Sequence, residues 1–271
     1  MNTIQSGKQI QTSGYAFVNG IDMYYEIHSQ GEPLVLIHGG GSTIQTTFGY
    51  LLPILSRHFK VVAVELQAHG HTSDRDQPSS FEQDADDVAT LLQHLDIPKA
   101  HVFGFSNGGN TAMQIALRHP NAVQKLVIAS SFYKRHGMFP GFFDMMKQAS
   151  LVNMPGPLKT AFLAINNDEI SLQNMHDKDR DRMLNFKDWD DADLRSIKAP
   201  TLLIAADHDV VTVRHTVDMS ELIPNSELMI VPGDHGSFIG EVCTIRKESR
   251  IPDMTAAVIV EFLNKKELPK S

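Results

Sequence analysis

Residues 104–108 read Gly-Phe-Ser-Asn-Gly, which places Ser106 two residues from a glycine on either side. Residues 100–105 before this serine predict a strand, and residues 110–118 after it predict a helix. A tight turn between a strand and a helix lifts the serine hydroxyl above the edge of the sheet and requires small flanking residues. The helix N-terminus then favours developing negative charge beside that hydroxyl. The pattern indicates that Ser106 is a nucleophile.

Residues 38–41 read His-Gly-Gly-Gly and follow the predicted strand 33–37. Glycines allow the backbone to turn its N–H groups toward a substrate oxygen, and such donors contribute strongly to acyl transfer. We predict that the N–H groups of Gly40 and Asn107 form the oxyanion hole. The alternative interpretation of the glycines is a flexible turn between a strand and a helix.

A serine nucleophile needs a base and an acid that orients the base. The loop after the predicted strand 228–231 contains His235, and Asp207 and Asp209 follow the predicted strand 200–205. Open α/β sheets build their sites at the carboxyl ends of parallel strands. We predict that His235 is the base and that Asp209 is the acid, with Asp207 as the alternative acid.

The elements around these residues alternate between strand and helix, which predicts an α/β fold. Repeated βα units imply a mainly parallel central sheet with helices on both faces. Residues 15–18 and 21–27, joined by Asn19-Gly20, predict a β-hairpin that adds antiparallel strands at one edge. Residues 33–37 and 60–64 are short apolar runs, as expected for strands that are buried on both faces.

One long segment interrupts the alternation. Residues 132–189 contain many methionines and phenylalanines and no clear strand, and the segment is far longer than an ordinary connection. It predicts a small helical cap inserted in a core formed by residues 1–131 and 190–271. Phe143, Met145 and Met146 are the predicted substrate contacts, although apolar cap residues could instead form the core of the cap itself.

Composition limits the classes of partner. A length of 271 residues suits one α/β domain with an insertion, and the net charge of -8 argues against nucleic acid or an anionic membrane as the partner. A single cysteine excludes a disulfide framework and a multi-cysteine metal site. Residues 1–6 lack signal-peptide features, and no apolar run approaches membrane-spanning length. We expect a cytoplasmic location, no metal, no cofactor and a small-molecule partner.

The quoted residues resemble the α/β-hydrolase superfamily, in its esterase, lactonase and haloperoxidase-like group. The resemblance extends from about residue 14 to about residue 263. It implies that residues 38–40 form the oxyanion loop, that residues 104–108 carry the nucleophile, and that Asp209 and His235 complete a triad in the order Ser, Asp, His.

One segment departs from the family pattern. The usual Asp-x-Arg-Gly-x-Gly-x-Ser reads Glu-Leu-Gln-Ala-His-Gly-His-Thr at residues 65–72. Gln67 replaces the arginine, so we expect the ion pair of that arginine to be missing and the support of the loop to be altered, without loss of the chemistry.

The predicted reaction is hydrolysis of a carboxylic ester or lactone of a small, hydrophobic molecule through an acyl-enzyme. A macrolactone antibiotic would suit an apolar lid on an acidic protein. Serine at position 106 argues against haloalkane dehalogenases and epoxide hydrolases, which carry aspartate there.

Three alternatives remain open. A cofactor-free lyase or perhydrolase would use the same triad, and a slow-turnover binding protein would keep the same residues. A zinc hydrolase with ligands in residues 69–74 fits poorly, because Asp74 comes one residue late and Arg75 stands where a histidine ligand would be.

Overall fold

The computed structural model of the protein describes residues 12–266, so the N-terminal segment used to predict the absence of a signal peptide lies outside the described residues. The described chain forms one eight-stranded sheet in the order β1-β2-β4-β3-β5-β6-β7-β8. The strands are β1 Thr12–Val18, β2 Ile21–His28, β3 Pro33–Ile37, β4 Lys60–Val64, β5 Ala100–Phe105, β6 Val123–Ala129, β7 Thr201–His208 and β8 Ser226–Asp234.

Two antiparallel pairings, β1 with β2 and β2 with β4, lie at one edge of the sheet, and the other neighbours are parallel. The predicted α/β fold with an opening antiparallel hairpin is thereby confirmed.

The helices are α1 Ile44–Phe48, α2 Leu52–Leu55, α3 Phe81–His94, α4 Asn107–Arg118, α5 Phe142–Lys147, α6 Gly156–Ile165, α7 Glu169–Leu184, α8 Asp191–Ser196, α9 Val213–Leu222 and α10 Ile251–Asn264.

The hydrophobic core lies on both faces of the sheet. Successive residues of β3 point to opposite faces, so that Val35 and Ile37 join one buried cluster and Leu34 and Leu36 join the other. Strands buried in this way read as continuous apolar runs rather than as alternating patterns. This arrangement fixes the carboxyl ends of β3, β5, β7 and β8 at one edge of the sheet.

Four helices, α5 to α8, occupy the connection between β6 and β7. Two apolar clusters hold this segment, and both include side chains from outside it. Phe81 and Val211 belong to one cluster, and Ala68 belongs to the other. The inserted helices therefore pack directly on the sheet-bearing part of the molecule. No helix among residues 12–266 is long and apolar enough to cross a membrane.

Candidate active site

The turn between β5 and α4 holds Ser106 in a conformation that few non-glycine residues adopt, with φ 53° and ψ −122°. Two neighbouring glycines leave no room for a side chain. A Cβ on Gly104 would lie 2.0 Å from the carbonyl oxygen of Gly108, and a Cβ on Gly108 would lie 2.2 Å from that of Ile37. The Gly-x-Ser-x-Gly spacing is thus a steric requirement of this turn.

Three polar side chains meet beside this turn, each from a different strand end. Nδ1 of His235 lies 2.6 Å from Oδ1 of Asp209, and Nε2 of the same ring lies 3.1 Å from Oγ of Ser106. Asp209 follows β7 directly, and His235 follows β8 directly. Because β5, β6, β7 and β8 are adjacent and parallel, their carboxyl ends bring these loops together.

The carboxylate of Asp209 is fully buried and accepts hydrogen bonds on both oxygens. Oδ1 accepts from the backbone N–H of Val210, and Oδ2 accepts from the backbone N–H of Ala206 and from the hydroxyl of Ser130. Burial alone would raise the pKa of Asp209, but its contact with His235 and these hydrogen bonds lower it. The carboxylate is therefore ionised and can orient the imidazole.

The loop after β3 presents one glycine N–H to the cavity beside the serine. Gly39 N donates to the Thr47 hydroxyl at 3.3 Å, and Gly41 N donates to a carboxylate of α7, Asp179, at 2.6 Å. Between them, the N–H of Gly40 donates to no protein acceptor among the described residues. The N–H of Asn107, the first residue of α4, is likewise free for a bound oxygen within residues 12–266.

A buried histidine supports this glycine loop. Nδ1 of His38 lies 2.7 Å from the carbonyl oxygen of Gly39, and Nε2 accepts from the backbone N–H of Leu66 at 3.0 Å. His38 therefore carries its proton on Nδ1 only. Burial lowers the pKa of His38 to about 4, which keeps the ring neutral at physiological pH.

A cavity of about 450 Å3 opens above Ser106. Its walls include Gly40, Asn107 and His235, so the predicted base and both predicted oxyanion donors border the space above Ser106. The remainder of the wall is mostly apolar and comes mainly from the connection between β6 and β7, from its helices and from the turns beside them. Its larger apolar side chains are Phe132, Met138, Phe142, Met145, Met146, Met154, Leu158 and Met183.

The structure separates the three predicted substrate contacts. Met145 and Met146 line the cavity, whereas Phe143 does not. The Phe143 ring packs instead against Phe142, and the Arg135 guanidinium lies 3.5 Å from the ring centroid. The prediction for Phe143 is therefore wrong. Phe142, Met145 and Met146 are spaced by three and four residues and share the cavity face of the helix, whereas Phe143 points about 100° away from Phe142.

The altered loop after β4 has its own support. Nη1 of Arg75 donates to the side-chain oxygen of Gln67 at 2.8 Å, and Nη2 pairs with Asp87 at 2.7 Å. No arginine stands at position 67, and an arginine eight positions along the chain instead supplies an ion pair to this loop, which is an altered support of the kind that we expect. Gln67 adds a hydrogen bond to Asp74 at 2.7 Å.

The histidines of the zinc alternative bind different carboxylates. Nε2 of His69 lies 2.9 Å from Oδ2 of Asp179, and Nδ1 of His71 lies 2.8 Å from Oε2 of Glu65. Within residues 12–266, no group of three or more His, Cys, Asp or Glu side chains could hold a metal ion.

Two residues at the site carry no sequence signal of their own. Ser130 follows β6, the strand between β5 and β7, so adjacency in the sheet could have suggested its contact with Asp209. Asp179 lies within α7, 138 residues from its partner Gly41, and no spacing or motif marks it.

Comparison with known proteins agrees with this fold. A family model described as the α/β-hydrolase fold matches residues 32–174. A candidate carbamate hydrolase, RutD of Caulobacter sp. (strain K31), is 28% identical over 270 residues, with 89% of this chain and 96% of that protein covered. The human serine hydrolase BPHL is 37% identical over 123 residues, which cover 43% of this chain and 42% of BPHL.

Among solved structures, a meta-cleavage product hydrolase from Pseudomonas fluorescens IP01 superposes with a TM-score of 0.76 at 21% identity. The match covers 94% of this chain and 98% of that one, and at this identity it bears on the fold alone. The eight-stranded sheet, the turn that carries Ser106 and the family match lead to one conclusion. The chain belongs to the α/β-hydrolase family of enzymes.

Proposed function

We propose that the protein is a serine hydrolase that cleaves a carboxylic ester or lactone of a small, hydrophobic molecule. The observation that carries this proposal is the continuous hydrogen-bonded series from Asp209 through His235 to Ser106. The nucleophile, the base and the group that orients the base occupy this series in the order that acyl transfer requires. The apolar cavity above Ser106 supports a hydrophobic substrate.

The reaction proceeds in two halves. Oγ of Ser106 attacks the carbonyl carbon while Nε2 of His235 takes the hydroxyl proton. The N–H groups of Gly40 and Asn107 stabilise the oxyanion. When the intermediate collapses, the bond to the alcohol oxygen breaks and His235 returns the proton to that oxygen. Water then attacks the acyl-enzyme, again with His235 as the base, and releases the acid and free Ser106.

The proposal is tested by covalent labelling together with a panel of esters and lactones. A fluorophosphonate probe is expected to add one label to the wild type, at Ser106, and Ser106→Ala is expected to lose both the label and the hydrolysis. Ser130→Ala is the matched control, because Ser130 borders the same cavity and should still allow labelling of Ser106, at a lower rate. Labelling that persists in Ser106→Ala would overturn the proposal.

A further inference from the structure

Four charged side chains form a buried cluster between the inserted helices and the sheet-bearing part of the molecule. Nη1 of Arg182, on α7, donates to Asp84 of α3 at 2.5 Å, and Nη2 of Arg182 pairs with Asp179 on the same helix. His69 binds the other oxygen of Asp179. The exposed fractions of the side chains are 3% for Arg182, 1% for Asp84, 4% for His69 and 12% for Asp179. We call these four residues the buried ionic cluster.

The hydrogen bonds of His69 fix its charge. Nδ1 lies 2.8 Å from the carbonyl oxygen of Gln67, and Nε2 lies 2.9 Å from the carboxylate of Asp179. Carbonyl and carboxylate oxygens only accept hydrogen bonds, so both ring nitrogens carry a proton and the ring is an imidazolium. Burial alone would lower the pKa of His69, but the charge and hydrogen bond of Asp179 raise it. The cluster therefore contains two cations and two anions.

Asp179 connects this cluster to the glycine loop of the site. The oxygen that receives His69 also accepts the backbone N–H of Gly41 at 2.6 Å. Asp179 borders the cavity, and its carboxylate would lie 3.1 Å from a Cβ built on Gly40. Gly41 has a φ of +66°, a conformation that few other residues adopt. One carboxylate oxygen thus holds the residue next to the proposed oxyanion donor.

We propose that Asp179 is a positioning residue for the oxyanion hole, which it serves by holding Gly41 so that the neighbouring N–H of Gly40 faces the reacting carbonyl. This role rests on the proposed function. His69 and Arg182 keep the carboxylate of Asp179 in place from two sides. The part of the chain that forms the apolar wall of the cavity therefore also helps to position the oxyanion hole.

Stability alone is a weak explanation for this arrangement. Removing charged groups from water costs several kcal/mol for each ion, and pairing in the interior often does no more than offset that cost. A fixed carboxylate, in contrast, can favour catalysis by holding the loop that carries an oxyanion donor. Such donors act only when they already point at the charge that develops. In the buried ionic cluster, His69 and Arg182 hold the carboxylate of Asp179 against the backbone N–H of Gly41.

The test measures kcat and KM for an acetate ester, which is too small to depend on the apolar wall. Loss of one oxyanion donor lowers kcat by about 100-fold or more, so Asp179→Ala is expected to lower kcat by about 100-fold with little change in KM. Asp179→Asn keeps an oxygen that can accept from Gly41 and is expected to retain more activity than Asp179→Ala. It also preserves the shape of the side chain but removes the charge that His69 and Arg182 hold, so kcat is still expected to fall below that of wild type. If Asp179→Ala does not fold, a wild-type kcat in folded Asp179→Asn overturns the role.

Lys178→Ala is the matched control on the same helix. Nζ of Lys178 donates to Asp74 and to the carbonyl oxygens of Arg75 and Gln77, at 2.7 to 2.9 Å, so it joins α7 to the loop after β4 without touching the glycine loop. This variant is expected to leave kcat within about twofold of wild type, since Lys178 contacts neither the glycine loop nor the proposed triad.

Three results would overturn the role of Asp179. In the first, both folded Asp179 variants keep the wild-type kcat. In the second, Lys178→Ala lowers kcat as much as Asp179→Ala, so that docking of the helix alone explains the loss. In the third, the wild type hydrolyses no ester and Ser106 takes no fluorophosphonate label, and then the proposed function fails as well. Only the third result touches that function.

Discussion

Among residues 12–266, two histidine–aspartate pairs with a largely buried carboxylate lie beside the same cavity. His235 lies 2.6 Å from Asp209, and His69 lies 2.9 Å from Asp179. Burial acts against ionisation of both carboxylates, and in both the neighbouring histidine helps to lower the pKa of the aspartate. By residue type and distance alone, either pair could be chosen as the base and its supporting acid.

The second nitrogen of each ring separates the two pairs. His235 faces the hydroxyl of Ser106, which can donate or accept, so its proton can move. His69 faces the carbonyl oxygen of Gln67, which can only accept, so its proton is held. The same pair of residue types can therefore serve proton transfer at one place and carry a fixed charge at another, and the partner of the second nitrogen decides which.

The largest expected effect comes from changing the carboxylate of the first pair. Asp209→Asn should preserve folding but lower kcat by about 10⁴-fold, because an amide favours the wrong imidazole tautomer. Asp207→Asn is the matched control. Asp207 accepts the backbone N–H of Gly233 at 2.8 Å, away from the imidazole, and its loss should change kcat little. Steady-state kinetics on one ester measures both, and a reversal of the two effects would move the acid to Asp207.

The next effect concerns the apolar side of the inserted helices. Met146 lines the cavity, so Met146→Ala should lower kcat/KM for a bulky ester by about tenfold or more relative to an acetate ester. Phe143→Ala on the same helix is the control, since that ring packs outside the cavity, and the ratio should stay near that of wild type. Equal losses on both esters in Met146→Ala would mean that this residue supports the reacting groups rather than substrate choice.

The first pair could be predicted from the sequence because topology determines its place. Ser106, Asp209 and His235 each follow a strand, and parallel strands bring their carboxyl ends to one edge whatever the loops do. The alternation of strands and helices carries that information directly. Even the length of β8, which runs over Ser226–Asp234 rather than 228–231, leaves the position of His235 at the strand end unchanged.

The second pair could not be predicted in this way. The contact of Asp179 with Gly41 depends on how α7 lies across the molecule, and that follows from packing between segments far apart in the chain. Nothing in the local pattern of α7 distinguishes Asp179 from its other acidic residues. Phe143 fails for a related reason, because Phe142 and Phe143 are both apolar and the sequence does not show which one faces the cavity.

The smallest effect is a pH dependence of stability that arises from the second pair. The pKa of His69 lies above its usual value of 6.5 in the folded protein, since Asp179 outweighs burial. The folded state then holds more protons than the unfolded state, so the free energy of unfolding falls as pH rises. The stabilisation is complete below about pH 6.5 and is lost as pH rises through the higher pKa.

Other titratable groups also make stability depend on pH, either in the opposite direction to His69 or over the same pH range. Burial lowers the pKa of His38 to about 4, so its contribution makes stability rise with pH, and only below about pH 6.5. Burial raises the pKa of Asp84 to about 6, so this carboxyl also lowers the free energy of unfolding as pH rises. That decrease is nearly complete by pH 6.5. The hydrogen bond that His71 donates to the carboxylate of Glu65 raises the pKa of His71, which therefore adds to the slope at higher pH.

Comparison with a variant isolates the contribution of His69. Urea unfolding of wild type and His69→Gln between about pH 6.5 and pH 9 gives the slope of the free energy of unfolding in each. His71 contributes equally to both proteins, so the slope should be shallower in His69→Gln by the part that His69 supplies. Asp179→Asn should flatten the slope as well, because burial alone would lower the pKa of His69. Parallel slopes in all three proteins would mean that His69 is neutral, and the distinction between the two pairs would then fail.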